Sequence, residues 1–276
     1  MKRLICLAVI LFLLFPAAVL AEQQSVTAEP VPAGDSDAEA RAYADKMEKQ
    51  FDVTILIGDE CLDVLHPEAF SIGSNAPAKS PLLQMLGIKD TLSELKRLEK
   101  ALEQYPAEMF KNIKDDNAPN GIRFLIADQI IENNPDMYSV GYNTCEGGYY
   151  NIVLAYMLFA ESSVHHEIWH AMELFITTKY PGAFLIWDSL NPPGFRYSND
   201  FTATSYEFDA DFFARGYGTV TAGEDRATIA EAVFYSNRNE WFAERPAVKR
   251  KLDAMNLALK DTLIIQYNVN TEAIEP

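Results

Sequence analysis

The segment His165-His166-Glu167-Ile168-Trp169-His170 contains a His-Glu-x-x-His motif and takes up three of the four histidines in the chain. On an α-helix, positions i and i+4 share a face, so His166 and His170 can direct two ring nitrogens at one ion. Zinc accepts such nitrogens, and its catalytic sites add a third protein ligand while keeping a position open for water. Glu167 is adjacent to the first ligand, where its carboxylate can act as general base on that water. The chemistry this pattern predicts is hydrolysis of a peptide bond through a zinc-activated water.

A third ligand is needed, and the sequence leaves several open. A histidine in the longer His-Glu-x-x-His-x-x-Gly-x-x-His arrangement is excluded, because Glu173 and Ile176 occupy those positions. His66 is remote, and His165 is rotated about 100° from its neighbour on the helix. A downstream carboxylate remains. Within Tyr217-Gly218-Thr219-Val220-Thr221-Ala222-Gly223-Glu224-Asp225, Thr221 can cap a helix with Glu224 in its first turn. Glu224 would equally serve as the acid of a capping box with Thr221. Glu207, Asp209, Asp211, Asp225 and Glu231 are competing ligands.

Residues 163 to about 235 resemble the lethal-factor-like branch of the gluzincin metallopeptidases and related exported bacterial peptidases. That branch pairs a helical His-Glu-x-x-His with a later Tyr, a small spacer and a Glu opening a second helix. His166, Glu167 and His170 fall on the first element, Tyr217 and Glu224 on the second. The resemblance implies Glu224 as third zinc ligand and Tyr217 as a phenol hydrogen-bonded to the oxyanion. The chain departs from the pattern at Thr228, where relatives often carry a second glutamate that supports the metal site.

The elements that must position these groups follow from pattern. The motif helix is expected to start at Ser162 or Ser163 and end before Tyr180-Pro181. Tyr43, Met47 and Phe51 mark an amphipathic helix, and Leu92, Leu95, Leu98 and Leu102 another, stopped by Pro106. Val53–Gly58, Gly121–Ile131 and Tyr149–Met157 read as strands, the last preceded by a Gly147-Gly148 turn. Tyr149–Met157 is a candidate edge strand that would bind substrate backbone beside the metal helix. Residues from Arg245 to Leu263 give an amphipathic helix through Val248, Leu252, Met255, Leu257 and Leu259. The expected fold is α+β and zincin-like, with a small mixed sheet, an active-site helix and a helical C-terminal part.

Lys2 and Arg3, the apolar run Ile5–Phe15 and Val19-Leu20-Ala21 predict a signal peptide over residues 1–21. Residues 22–37, rich in Ala, Pro, Gln and Ser, read as a disordered leader, and 38–276 as one metallopeptidase domain. No second stretch is long and apolar enough to span a membrane, so a periplasmic or secreted protein is expected. Removing residues 1–21 takes away two cations and no acid, moving the formal charge from −17 to −19. Such a surface repels nucleic acid and anionic lipid and favours neutral or cationic substrates, while the motif implies a peptide or protein substrate. Cys61 and Cys145 are expected to pair if the compartment is oxidising. The alternative reading is an exported module that binds zinc and a partner without catalysis, or a purely structural metal site.

Overall fold

The computed structural model describes residues 34–61, 64, 71–72, 91–127, 130–131, 138–155, 160–202, 206–263, 265–268 and 274–275. The signal peptide, residues 22–33 of the leader, His66, and Tyr156 and Met157 of the expected third strand lie outside them. The first helix, α1, spans Gly34–Phe51, so the last four residues assigned to the leader are helical. Ala40, Ala44, Met47 and Phe51 form its buried stripe, at spacings of three and four.

Strand β1 (Thr54–Ile57) follows, then a 3-10 turn over Gly58–Cys61 and a two-residue strand β2, Ser71–Ile72. Helices α2 (Thr91–Leu102) and α3 (Ala107–Asn112) precede β3 (Ile122–Ala127), β4 (Ile130–Ile131), β5 (Tyr138–Ser139), β6 (Gly141–Glu146) and β7 (Tyr149–Ala155). The metal-motif helix α4 spans Glu161–Lys179, and a 3-10 turn follows at Trp187–Leu190. Another 3-10 turn, Gly216–Thr219, leads into α5 (Ala222–Ala232), followed by α6 (Arg238–Ala243), α7 (Pro246–Leu263), β8 (Gln266–Tyr267) and β9 (Ile274–Glu275).

The main sheet has four strands in the order β1-β3-β7-β6. The first three are parallel neighbours, and β6 closes the sheet antiparallel to β7. The fold is thus α+β with a small mixed sheet and several helices. The position of β7 corrects one expectation: it is an interior strand, buried from Tyr150 to Ala155, and among the described residues β6 and β1 are the outer strands. Both faces of β7 are covered, which accounts for its unbroken apolar run. Gly147 (φ 64°) and Gly148 (φ 80°) form the two-residue turn that joins β6 to β7. Two consecutive positive φ values are what a hairpin turn of matching twist requires, and glycine adopts them without a Cβ clash.

The period-2 alternation sorts the sheet into two faces. Ile122, Phe124, Ile126, Tyr150, Ile152 and Leu154 face the helices in one contiguous apolar core. Leu125, Ala127, Val153, Ala155 and Tyr142 pack on the far side around Cys61.

Of the three cysteines, Cys6 lies outside the described residues; the other two are free, Cys61 buried and Cys145 exposed. The Cys61 sulfur lies 3.7 Å from the carbonyl of Ile126, which pairs with Leu154, whereas Cys145 pairs with Tyr150. Those partners are four residues apart along β7, about 13 Å at strand rise, beyond disulfide reach. The expected pairing is therefore not formed.

On α7, Val248, Leu252, Met255 and Leu259 are buried as the pattern predicts, but Leu257 points outward at 64% exposure. Among the described residues, no helix is long and apolar enough to cross a membrane.

Candidate metal centre

Two helices meet at the site. Helix α4 begins after Ala160, which has extended backbone and no side-chain cap, so Ser162 and Ser163 sit inside the first turn instead of capping it. The helix is buried from Ser163 to Trp169, packed between the sheet and α5. That burial places His166 and Glu167 out of water, at 0% exposure, and leaves the His170 side chain at 11%. Helix α5 is capped by Thr221, whose hydroxyl accepts from the Glu224 backbone N–H at 3.1 Å. The Glu224 carboxylate does not return to the cap. It turns to the histidines.

His166 Nε2 lies 3.0 Å from Glu224 Oε2 and 3.1 Å from His170 Nε2, and the third edge of the triangle is 3.5 Å. These three atoms form the His/Cys/Asp/Glu group that could hold a metal ion among the described residues. A tetrahedral zinc with ligands at 2.0–2.1 Å spaces neighbouring donor atoms about 3.3–3.4 Å apart. The residues present therefore fit a zinc ion with one imidazole-imidazole-carboxylate face. Of the competing acids, Glu207, Asp209 and Asp211 are exposed, and Asp225 is buried against Lys251.

Glu231, two turns further along the helix, stays outside the triangle and meets His166 from its other ring nitrogen. Its Oε1 lies 2.5 Å from His166 Nδ1 and its Oε2 3.1 Å from Arg215 Nη1. With Nδ1 donating to that carboxylate, Nε2 is the nitrogen turned toward the triangle, a lone pair once its proton is displaced. Position 228 is packed against the 3-10 turn: a Cβ on Gly218 would come within 2.8 Å of Thr228 Oγ1. The carboxylate that meets His166 comes from Glu231, one turn further on.

The charges are mutually dependent. Burial lowers the His166 pKa, but hydrogen bonds to Glu224 and Glu231 outweigh it and carry the group up to about 10. Burial raises Glu224, yet His170 and His166 hold it down at about 2. Two carboxylates thus demand positive charge at the triangle, and zinc is one way to supply it. Burial pushes Glu167 up to about 7, with His166 and His170 offsetting part of the effect. Tyr217 is buried beside the site, its ring centroid 6.3 Å from that of His166. Burial, then the Glu224 and Glu167 carboxylates, raise its pKa far above the ordinary value, so the phenol keeps its proton. Neither the Tyr217 hydroxyl nor Glu167 Oε1 has a hydrogen-bond partner among the described residues.

His165 takes no part. Its ring stacks on Phe234 at 3.4 Å and meets the Tyr105 hydroxyl at 2.9 Å, as a buried, neutral core residue.

Behind the triangle, three consecutive residues of α5 reach three different partners. Glu224 meets the histidines. Asp225 forms a buried pair with Lys251 of α7 at 2.7 Å and accepts from Trp187 and Tyr197 at 3.1 and 2.8 Å. Arg226 clamps Glu173 of α4 at 2.5 and 2.9 Å, and Trp169 donates to the same carboxylate. Apart from the charge of its members, no sequence pattern marks this network. The edge strand also contributes: Asn143 of β6 donates from Nδ2 to Glu167 Oε2. A hairpin partner before the Gly147-Gly148 turn was the available signal for that strand.

An α+β fold with a buried His-His-Glu group is the class that fold and site define. No protein-family model matches the chain, and no curated protein matches it. A solved structure from Bacteroides caccae, described as a candidate zinc-binding metallo-peptidase, is similar at 13% identity and a TM-score of 0.47, covering 85% of this chain and 89% of that one.

Proposed function

We propose that the chain is an exported, gluzincin-like zinc metallopeptidase of the zincin class, periplasmic or secreted, that hydrolyses peptide bonds. The observation that carries this reading is the convergence of His166, His170 and Glu224 beside a glutamate that is not itself part of the triangle. A structural zinc site has no use for such a base.

Bound at the triangle, zinc would supply Lewis acidity, acidifying a water and polarising a carbonyl. Glu167, buried beside the triangle, takes a proton from the attacking water as its oxygen bonds to the amide carbon. The same carboxyl then returns that proton to the amine as the C–N bond breaks. The Tyr217 hydroxyl, protonated and unpartnered, donates to the oxyanion in the interim. Strand β6, the terminal strand of the sheet, offers a backbone edge on which an extended peptide could be held by strand addition.

Zinc content and cleavage of a peptide library test this together. Glu167→Gln is expected to keep zinc and lose activity by about a hundredfold or more, and Glu224→Ala to lose both. Normal cleavage by Glu167→Gln would sink the mechanism. The complete burial of Glu167 favours a second reading, a zinc module that grips a partner without cutting it. Stoichiometric zinc with no product from any library peptide would select it.

A further inference from the structure

Strand β6 approaches Glu167 with two residues from one face. Asn143 pairs with Ile152 and Gly141 with Leu154, both on the helix-facing side of β7. Asn143 Nδ2 donates to Glu167 Oε2. A Cβ on Gly141 would stand 2.9 Å from Glu167 Oε1 and 3.0 Å from its Cγ, contacts that ordinary side chains do not make. Asn143 is 1% exposed and Glu167 0%, and Glu167 Oε1 is left without a partner among the described residues. One oxygen of the carboxylate is held. The other is free, and the strand is trimmed to glycine where the carboxylate lies.

We propose that Asn143 is a positioning residue for Glu167: its amide anchors Oε2 from the edge strand, so that Oε1, lying over Gly141, is the oxygen that takes and returns the proton. An unanchored glutamate would rotate about its terminal torsion, a broad two-fold well, and present either oxygen at a range of angles. Anchoring from this outer strand couples the geometry of the base to the backbone edge offered for strand addition. Asn143 acts through Glu167 and not on the substrate.

The inference rests on the peptidase reading, and its test separates the two. The whole chain, zinc-loaded, is assayed on fluorescein-labelled casein beside Glu167→Gln, Asn143→Ala, Asn143→Asp and Gly141→Ala, with zinc content measured for each. Asn143→Ala is expected to lower kcat about tenfold or more with KM within about twofold, because only the proton-transfer geometry is lost. Asn143→Asp places a second carboxylate against the first and should move the acidic limb of the pH–rate profile up by about one unit. Gly141→Ala should lower kcat with zinc retained. A readout without turnover is the visible spectrum of the cobalt(II)-loaded protein against pH, whose midpoint should rise in Asn143→Asp. Wild-type kcat in Asn143→Ala and Gly141→Ala overturns the proposal, as does loss of zinc in Asn143→Ala, which would make the residue a general support. If wild type leaves casein as intact as Glu167→Gln does, the peptidase reading is the casualty. The cobalt spectrum then decides on Asn143, and an unchanged midpoint in Asn143→Asp overturns the positioning role.

Discussion

His166 bears two carboxylates, one on each ring nitrogen, and this sets how the site trades protons for metal. With Glu224 at Nε2 and Glu231 at Nδ1, its metal-free pKa lies at about 10, above the range in which most proteins work. The imidazole therefore carries a proton that zinc must displace. Binding should release about one proton at pH 7, and affinity should fall about tenfold for each unit the pH drops below about 10. Calorimetry in buffers of different ionisation enthalpy measures the release directly; pH-independent affinity would contradict the assignment. Glu231→Gln should lower zinc affinity about 10- to 100-fold, as loss of a ligand's carboxylate partner does elsewhere. At this scale the motif residues were legible, because spacing on a helix fixes which side chains converge. Asn143 and Glu231 were not, because their partners are fixed by sheet register and by the approach of α5 to α4.

The consecutive residues Glu224, Asp225 and Arg226 make α5 a junction between α4 and α7. Asp225 and Lys251 both have fully buried side chains, so neither charge has water to fall back on. Lys251→Met would leave the Asp225 carboxylate uncompensated, at a cost of about 3–5 kcal/mol. The double variant Lys251→Met with Asp225→Asn should recover a large part of that, since removing both charges also removes the desolvation penalty. Urea unfolding of the single and double variants checks the sign. A double variant as unstable as the single would mean that Trp187 and Tyr197, and not charge, dominate the site. Sequence periodicity marked the apolar face of α7 through Val248, Leu252, Met255 and Leu259, but a lysine on that face reads as solvent-bound until its partner on another helix is known. The strand Gly141–Glu146 escaped notice for a related reason. Gly, Asn, Thr and Glu depress its apolar signal, and the pairing with β7 supplies what the composition lacks.

For the molecule as a whole, an ion at the triangle would be a cross-brace between α4 and α5, two elements separated by more than forty residues of chain. Metal that binds only the folded state stabilises it by about 4 kcal/mol when free zinc exceeds Kd a thousandfold. For a chain of this size that corresponds to about 10 °C in the melting transition. Chelation followed by calorimetry should show the loss, and added zinc should restore it; a melting point indifferent to chelator would remove zinc from the description. The α+β class and the order of the large elements were legible from turn glycines, apolar runs and the Pro-terminated helices. The sheet order was not, since alternation records burial on each face and says nothing about which neighbour lies beside which strand.

The two sulfurs end up in opposite circumstances: Cys61 is sealed beneath the sheet, while Cys145 stands at the surface on the same face of β6 as Asn143, two residues further along. Among the described residues, that asymmetry leaves Cys145 as the thiol open to site-selective labelling. Burial and the nearby Asp115 and Glu146 raise the Cys145 pKa, so a maleimide dye would be coupled under mildly alkaline conditions. A fluorophore attached there would sit on the strand that carries Asn143 and report a peptide added to that strand by a change in its emission.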